Sequence, residues 1–163
     1  MKAFCSRVWV MTCVVCIAAL MSAAVFTQDA VKPSAQFIAV DVMIDAGTQQ
    51  ISAWQLELAL PEHVTIVGIE NASHPAFAAK PPAYDPAALA NHRIILAQLA
   101  DDTAAGGAEG VAEGFGRFRL TTLHLRAAGG FDPQRDVHIV EHITLDVRGD
   151  DVSTSLSFTL RDS

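Results

Sequence analysis

The stretch Ile51-Ser-Ala-Trp-Gln-Leu-Glu-Leu-Ala-Leu-Pro-Glu-His-Val-Thr-Ile-Val-Gly-Ile-Glu70 decides the fold class. Trp54, Leu56, Leu58 and Leu60 alternate with Gln55, Glu57 and Ala59, so one face of the segment is apolar and the other mostly polar. Period-two alternation describes a half-buried strand. Pro61 ends it, because proline has no N–H to give to a central ladder. Val64 to Ile69 reads as the next strand. Trp54 is the only tryptophan beyond the N-terminal segment, and its ring is expected to be the largest anchor of the core.

The same reading extends outward in both directions. Before this stretch, Ile38, Val40, Val42 and Ile44 share one face, and Asp45-Ala46-Gly47 supplies a turn. After it, 71–91 is irregular, with prolines at 75, 81, 82 and 86, and leaves Phe77 and Tyr84 either over the core edge or exposed. Its Asn71-Ala72-Ser73 sequon matters only in a eukaryotic secretory pathway. His92 to Ala100 is apolar on both faces, which suits a central strand. Asp101 to Gly116 is a Gly/Ala loop; no Lys-Ser/Thr follows to make it a phosphate cradle, and it reads as mobile.

Phe115 to Ala127 is the longest strand candidate. Its apolar phase is even through Phe118 and Leu120, then odd through Leu123 and Leu125, which predicts a bulge or a bend between sheets. Val137, Ile139, Ile143, Leu145 and Val147 are expected to line one face of another strand. Arg148-Gly149-Asp150-Asp151 then turns the chain into a last strand with Val152, Leu156, Phe158 and Leu160 inward. Seven or eight strands between Gly, Pro and Asp turns, without a useful amphipathic helix, describe an all-β antiparallel β-sandwich of jelly-roll type.

Residues 1–27 stand apart from this pattern. Lys2 and Arg7 precede an uncharged run from Val8 to Phe26. In one reading the run is a secretory signal with Ser22-Ala23-Ala24 as its cleavage site. In the other it is long enough to stay as a membrane anchor. Cleavage after Ala24 is the preferred of the two. Basic residues before the run and Asp29 after it place the remainder outside the cytoplasm in both readings, secreted, periplasmic or tethered to the membrane. Residues 28–35 then form a short linker, and 36–162 the sandwich domain. Cys5, Cys13 and Cys16 all lie in the first segment, so the rest has neither disulfide nor thiolate chemistry. Without Lys2 and Arg7 the chain carries nine basic against eighteen acidic residues, a net charge of −9. Such a surface repels nucleic acid.

The order of these elements resembles a cohesin domain, within the larger group of jelly-roll carbohydrate-binding modules. The resemblance rests on the small-Trp-Gln-Leu-x-Leu strand closed by Pro61, the Arg93-Ile94-Ile95-Leu96-Ala97 strand and the Gly-rich loop. It rests also on Leu120-Thr-Thr-Leu-His-Leu-Arg126 and the Asp146-Val-Arg-Gly-Asp150 turn, and spans roughly Gln36 to Arg161. Leu60 departs from it, standing where cohesins usually carry an aromatic or Asp residue before the proline. The resemblance implies a non-catalytic module that binds calcium-loaded dockerin modules of polysaccharide-degrading assemblies through one sheet face. It transfers no contact residue to a numbered position, so the binding face is left unassigned.

Few residues point to other chemistry. His138-Ile-Val-Glu-His142 matches the inverted zincin signature H-x-x-E-H. That signature needs a helix to bring both histidines to one ion, and the β-branched residues here favour a strand. On a strand the two histidines are about 13 Å apart, so both are expected on a solvated strand face, with no metal and no catalytic residues. His63, His74, His92 and His124 suggest no pairing. Asp101-Asp102 and Asp150-Asp151 are turn carboxylates that calcium, which takes about six to eight oxygens, could use, though turn chemistry explains them equally. No other cofactor is expected. Arg148-Gly149-Asp150 is an integrin-type tripeptide and also what a hairpin wants. Three functions are therefore expected, in this order: a cohesin-like protein-recognition module with a dockerin-like or envelope partner, a carbohydrate-binding module, or a structural part of an envelope or secretion assembly. A sugar site would show as a planar strip of exposed aromatic rings.

Overall fold

In the computed structural model residues 34–101 and 115–161 are described, and the Trp54 segment forms a central strand of one of two sheets. The strands are β1 (Ala35–Asp45), β2 (Ala53–Ala59), β3 (Val64–Ile69), β4 (Ala83–Tyr84), β5 (Arg93–Leu99), β6 (Arg117–Ala128), β7 (His138–Leu145) and β8 (Ser155–Leu160). Three one-turn helices punctuate them, α1 (Pro75–Ala78), α2 (Pro86–Leu89) and α3 (Pro133–Asp136). Each opens on a proline, whose missing N–H is no loss in a first turn. His74, Asp85 and Asp132 cap them by accepting from the backbone N–H two residues on.

One sheet has the order β3-β6-β1-β8 and the other β4-β5-β2-β7, with every neighbour antiparallel. The chain changes sheet at every connection except β4 to β5. This wrapping is the jelly-roll solution for strands that each have one apolar face and must bury it against the opposite layer. Val40, Val42 and Ile44 of β1, Leu56 and Leu58 of β2, and Ile94 and Leu96 of β5 are fully buried in a single core cluster. Trp54 joins them at 2 % exposure.

The phase shift in β6 is a bulge. Val42 faces Thr121 and Met43 faces Arg119, so Leu120 is the extra residue. Phe118 and Leu120 before the shift, and Leu123, Leu125 and Ala127 after it, are all buried. Segment 71–91 is more ordered than its prolines suggest, holding α1, β4 and α2. Phe77 is buried and Tyr84 is exposed at the sheet edge. The Gln98 amide donates to the carbonyls of Phe77 and Lys80, both at 2.7 Å, and ties α1 to β5.

Two expectations about faces are corrected. In β7, Thr144 lies opposite Trp54 and His142 opposite Leu56. Directly opposed residues share a face, so His142 and Thr144 point to the core, and Ile143 and Leu145 point outward. The strand has β-branched residues on both faces, and Val140 is a second bulge between Ile139 and Glu141. Apolar periodicity cannot choose a face there, and a slip of one residue reverses every side chain. Val147 lies beyond the strand and is exposed. The outer face of β2 is also less solvated than alternation implies. Glu57 is only 7 % exposed, because β2 is flanked on both sides and Glu57 is ion-paired with Arg93 of β5.

In β8 Phe158 is buried as expected, but Leu160 is exposed on this edge strand. The Gln134 side chain of α3 donates to the Phe158 carbonyl, blunting an edge that would otherwise offer free backbone groups. Residues 1–33, including the run read as an export signal or anchor, and most of the Gly/Ala loop lie outside the described residues.

Candidate functional site

The two sheets present unlike outer faces. On the β3-β6-β1-β8 sheet the outward residues of β1 and β6 meet the chain ends beyond β3 and β8 in a closed polar network. The Arg161 guanidinium donates to Asp41 Oδ1 at 2.7 Å and to Glu70 Oε2 at 3.0 Å. Thr122 donates to Asp41 Oδ1 at 2.6 Å and also accepts from Arg161. His124 Nε2 lies 2.8 Å from Glu70 Oε1. The hydrogen bonds from His124 and then from Arg161 hold the Glu70 carboxyl below its ordinary value. Each member is satisfied by another, so the network latches the end of β8 to β1, β3 and β6. It offers few free groups to a ligand.

The outer face of the β4-β5-β2-β7 sheet is divided. At one end Leu99, Ala53 and Leu145 align across β5, β2 and β7, followed by Ala97, Gln55 and Ile143 in the next row. Leu99 is 73 % exposed. This end holds a groove of about 900 Å³ bordered also by Lys80, Pro81 and Ala83. Towards the other end the face becomes charged. Gln55 donates to Glu141 at 2.8 Å, Glu57 pairs with Arg93, and His138 stands outward beside Ala59. An apolar patch bordered by polar groups marks an interaction surface, and here it is built on three neighbouring strands.

The H-x-x-E-H motif does not form one site. His138 lies on the outer face, whereas His142 lies on the core side with Nε2 3.2 Å from the Thr154 hydroxyl. The expectation of two histidines on one solvated face is thus overturned by the Val140 bulge. Burial pushes the His142 pKa below its ordinary 6.5. As pH falls, the unfolded chain therefore takes up a proton at this position before the fold does. Stability should accordingly decline from about pH 7 to about pH 5. Urea midpoints measured across that range should fall, and the fall should be smaller in His142→Gln. An unchanged pH dependence in the variant would assign the effect elsewhere.

Among the described residues no three His, Cys, Asp or Glu side chains are close enough to share a metal ion. The Arg148-Gly149-Asp150 tripeptide is a tight turn around Asp146, the first residue of the Asp146–Asp150 turn read from the sequence. Asp146 Oδ1 accepts from the Arg148 N–H at 2.8 Å and the Asp150 N–H at 3.0 Å. The Arg148 side chain pairs with both carboxylates, and Gly149 takes the positive φ of 83° that the turn needs. Of the remaining histidines, His74 packs against Phe77, Phe115 and Phe118. His124 is paired, contrary to expectation. Its partner Glu70 is 54 residues away in sequence, and only the β3–β6 register brings them together.

The exposed aromatic rings are dispersed. Phe37 lies on the outer face of β1, Tyr84 at the β4 edge, and Phe115 beside His74. No planar strip of rings exists among the described residues.

No protein-family model matches the chain, and no curated protein matches it. Among solved structures, it is similar to a non-cellulosomal cohesin from the hyperthermophilic archaeon Archaeoglobus fulgidus. The TM-score is 0.53 with 17 % identity, over 74 % of this chain and 75 % of that one. The fold is therefore cohesin-like, as the strand pattern and its turns implied.

Proposed function

We propose that this protein is a non-catalytic recognition module that docks a protein partner on the outer face of the β4-β5-β2-β7 sheet. The observation that carries the reading is the pair of rows Leu99–Ala53–Leu145 and Ala97–Gln55–Ile143, five apolar residues around Gln55 that border one groove, with Leu99 the most exposed of them. Isolated exposed apolar residues need no explanation, but a contiguous patch rimmed by polar groups marks an interaction site. On the other sheet the outward charges Asp41, Glu70 and Arg161 are spent on one another. A partner with a dockerin-like or envelope role fits the cohesin-like fold. The dispersed aromatics favour a protein over a glycan ligand.

The test uses the chain as bait in its native organism, with Leu99→Arg and Ser155→Arg baits beside it. A protein retained by the parent chain and by Ser155→Arg, and lost with Leu99→Arg, supports the reading. Retention on an insoluble polysaccharide, with no protein dependent on Leu99, would replace it with the carbohydrate-binding alternative.

The module is proposed to act outside the cytoplasm. The intact mass of the native protein should lack the first 24 residues if the uncharged run is a cleaved signal. A species beginning at Met1 and found only with membranes would establish the run as an anchor instead.

A further inference from the structure

We infer that the outer corner of the β3-β6-β1-β8 sheet around Phe37 is a contact for an anionic lipid surface. The inference goes beyond the docking reading and takes the anchor reading of Val8 to Phe26.

Three independent features meet at this corner. The first is apolar exposure. Phe37 is 75 % exposed, more than any other large apolar residue described, and Val67 and Leu160 are exposed as well. All three border one groove of about 670 Å³, together with Ala39, His124 and Arg161. Phe37 stands outward on β1, Val67 is the bulged residue of β3, and Leu160 ends β8. Three separate strands thus leave apolar side chains uncovered at one place.

The second feature is charge. Arg126 lies directly across from Phe37 in the β1–β6 register and is exposed. Among the described residues Arg126 and Arg117 have no carboxylate partner, whereas Arg93, Arg119, Arg135, Arg148 and Arg161 each have one. An uncommitted guanidinium beside an exposed ring is unexpected in a chain whose residues beyond Arg7 carry a net charge of −9. Guanidinium groups pair with phosphate oxygens, and aromatic rings settle at the headgroup level. An anionic leaflet attracts a basic group placed next to its surface.

The third feature is reach. Only eight residues, 27–34, separate Phe26 from Ala35 at the start of β1. A chain of that length spans at most about 29 Å when fully extended. An anchored domain cannot drift far from its bilayer, and Phe37 is two residues into its first strand. With the corner seated on the headgroups, the apolar rows of the β4-β5-β2-β7 sheet, on the opposite layer, remain free for a partner.

The test places a nitroxide label beside the patch without removing any of it. Cys5, Cys13 and Cys16 are changed to serine, and a single cysteine is introduced as Thr65→Cys, which faces Arg126 across β3 and β6. A second chain carries the label through Leu99→Cys on the other sheet. Both full-length chains are reconstituted in vesicles of phosphatidylcholine with one-quarter phosphatidylglycerol, and intact mass verifies that residues 1–26 are retained. The label at 65 should be several-fold less accessible to an aqueous nickel chelate than the label at 99. Phe37→Ser with Arg126→Glu should abolish that difference, and vesicles of phosphatidylcholine alone should weaken it. Equal accessibility at the two labels, with the anchor intact, would overturn the inference. So would shielding at 65 that survives the double variant, which would mean that Phe37 and Arg126 do not make the contact. A chain found only in its cleaved form would remove the anchor premise, a failure visible in the mass and separate from the label result.

Discussion

Trp54→Ala is expected to lower stability by about 3–5 kcal/mol, through lost apolar transfer and the cavity left behind. Trp54 is 2 % exposed and lies on the core face of β2, between Gln98 of β5 and Thr144 of β7. The strands β5 and β7 on either side and the opposite layer leave little freedom to collapse into the space. Trp54→Phe should cost markedly less. It keeps most of the ring contacts, and the indole N–H it removes has no hydrogen-bond partner among the described residues. Leaving such a donor buried costs about 1–3 kcal/mol, so its removal offsets part of the lost volume. Denaturant unfolding of the three proteins would check the order. Equal destabilisation by Phe and Ala would mean that the indole N–H is bonded after all. A negligible effect of Ala would mean that Trp54 is not the core anchor.

Leu99→Arg is expected to weaken partner binding on the order of 100-fold while leaving the fold intact. Substitutions at exposed positions away from special features usually change stability by no more than about 0.5 kcal/mol, and Leu99 makes most of its surface available to solvent. Interface centres behave differently, since truncating an anchor residue there costs about 2 kcal/mol or more. Arginine adds a charge that has no acid opposite it in the Leu99–Ala53–Leu145 row. Titration calorimetry with the captured partner, beside thermal unfolding of the variant alone, separates the two effects. A weakened complex with an unchanged melting transition supports the docking face. A lowered transition would mean that Leu99 matters for folding.

How much of this was legible in the sequence depends on the element. β1, β2, β3 and β6 each bury one face, and their period-two patterns placed them within a residue or two. The β6 bulge at Leu120 was visible because the apolar phase itself changes there. β7 was not legible in the same way. Ile139, Val140 and Ile143 are β-branched on both sides of the strand, so the pattern could not say that His142 and Thr144 face the core. Pairing with Trp54 and Leu56 decided it, and that is a long-range fact. The Arg161 network was invisible for the same reason, since Arg161 is 120 residues from Asp41 and 91 from Glu70. The candidate docking face was beyond sequence reading altogether. Alternation identifies an outward face only where one side of a strand is polar, and only the sheet order shows which outward faces adjoin and which charges on them are paired.

Site-specific photocrosslinking tests the docking face most directly. A photoreactive residue placed at Ala97, in the second apolar row of the β4-β5-β2-β7 sheet, is compared with one at Ser155 on the outer face of the other sheet. The partner is expected to be crosslinked from position 97 and not from 155, and Leu99→Arg is expected to remove the product. Crosslinking from 155 with none from 97 would place recognition on the opposite sheet and contradict the proposed docking face.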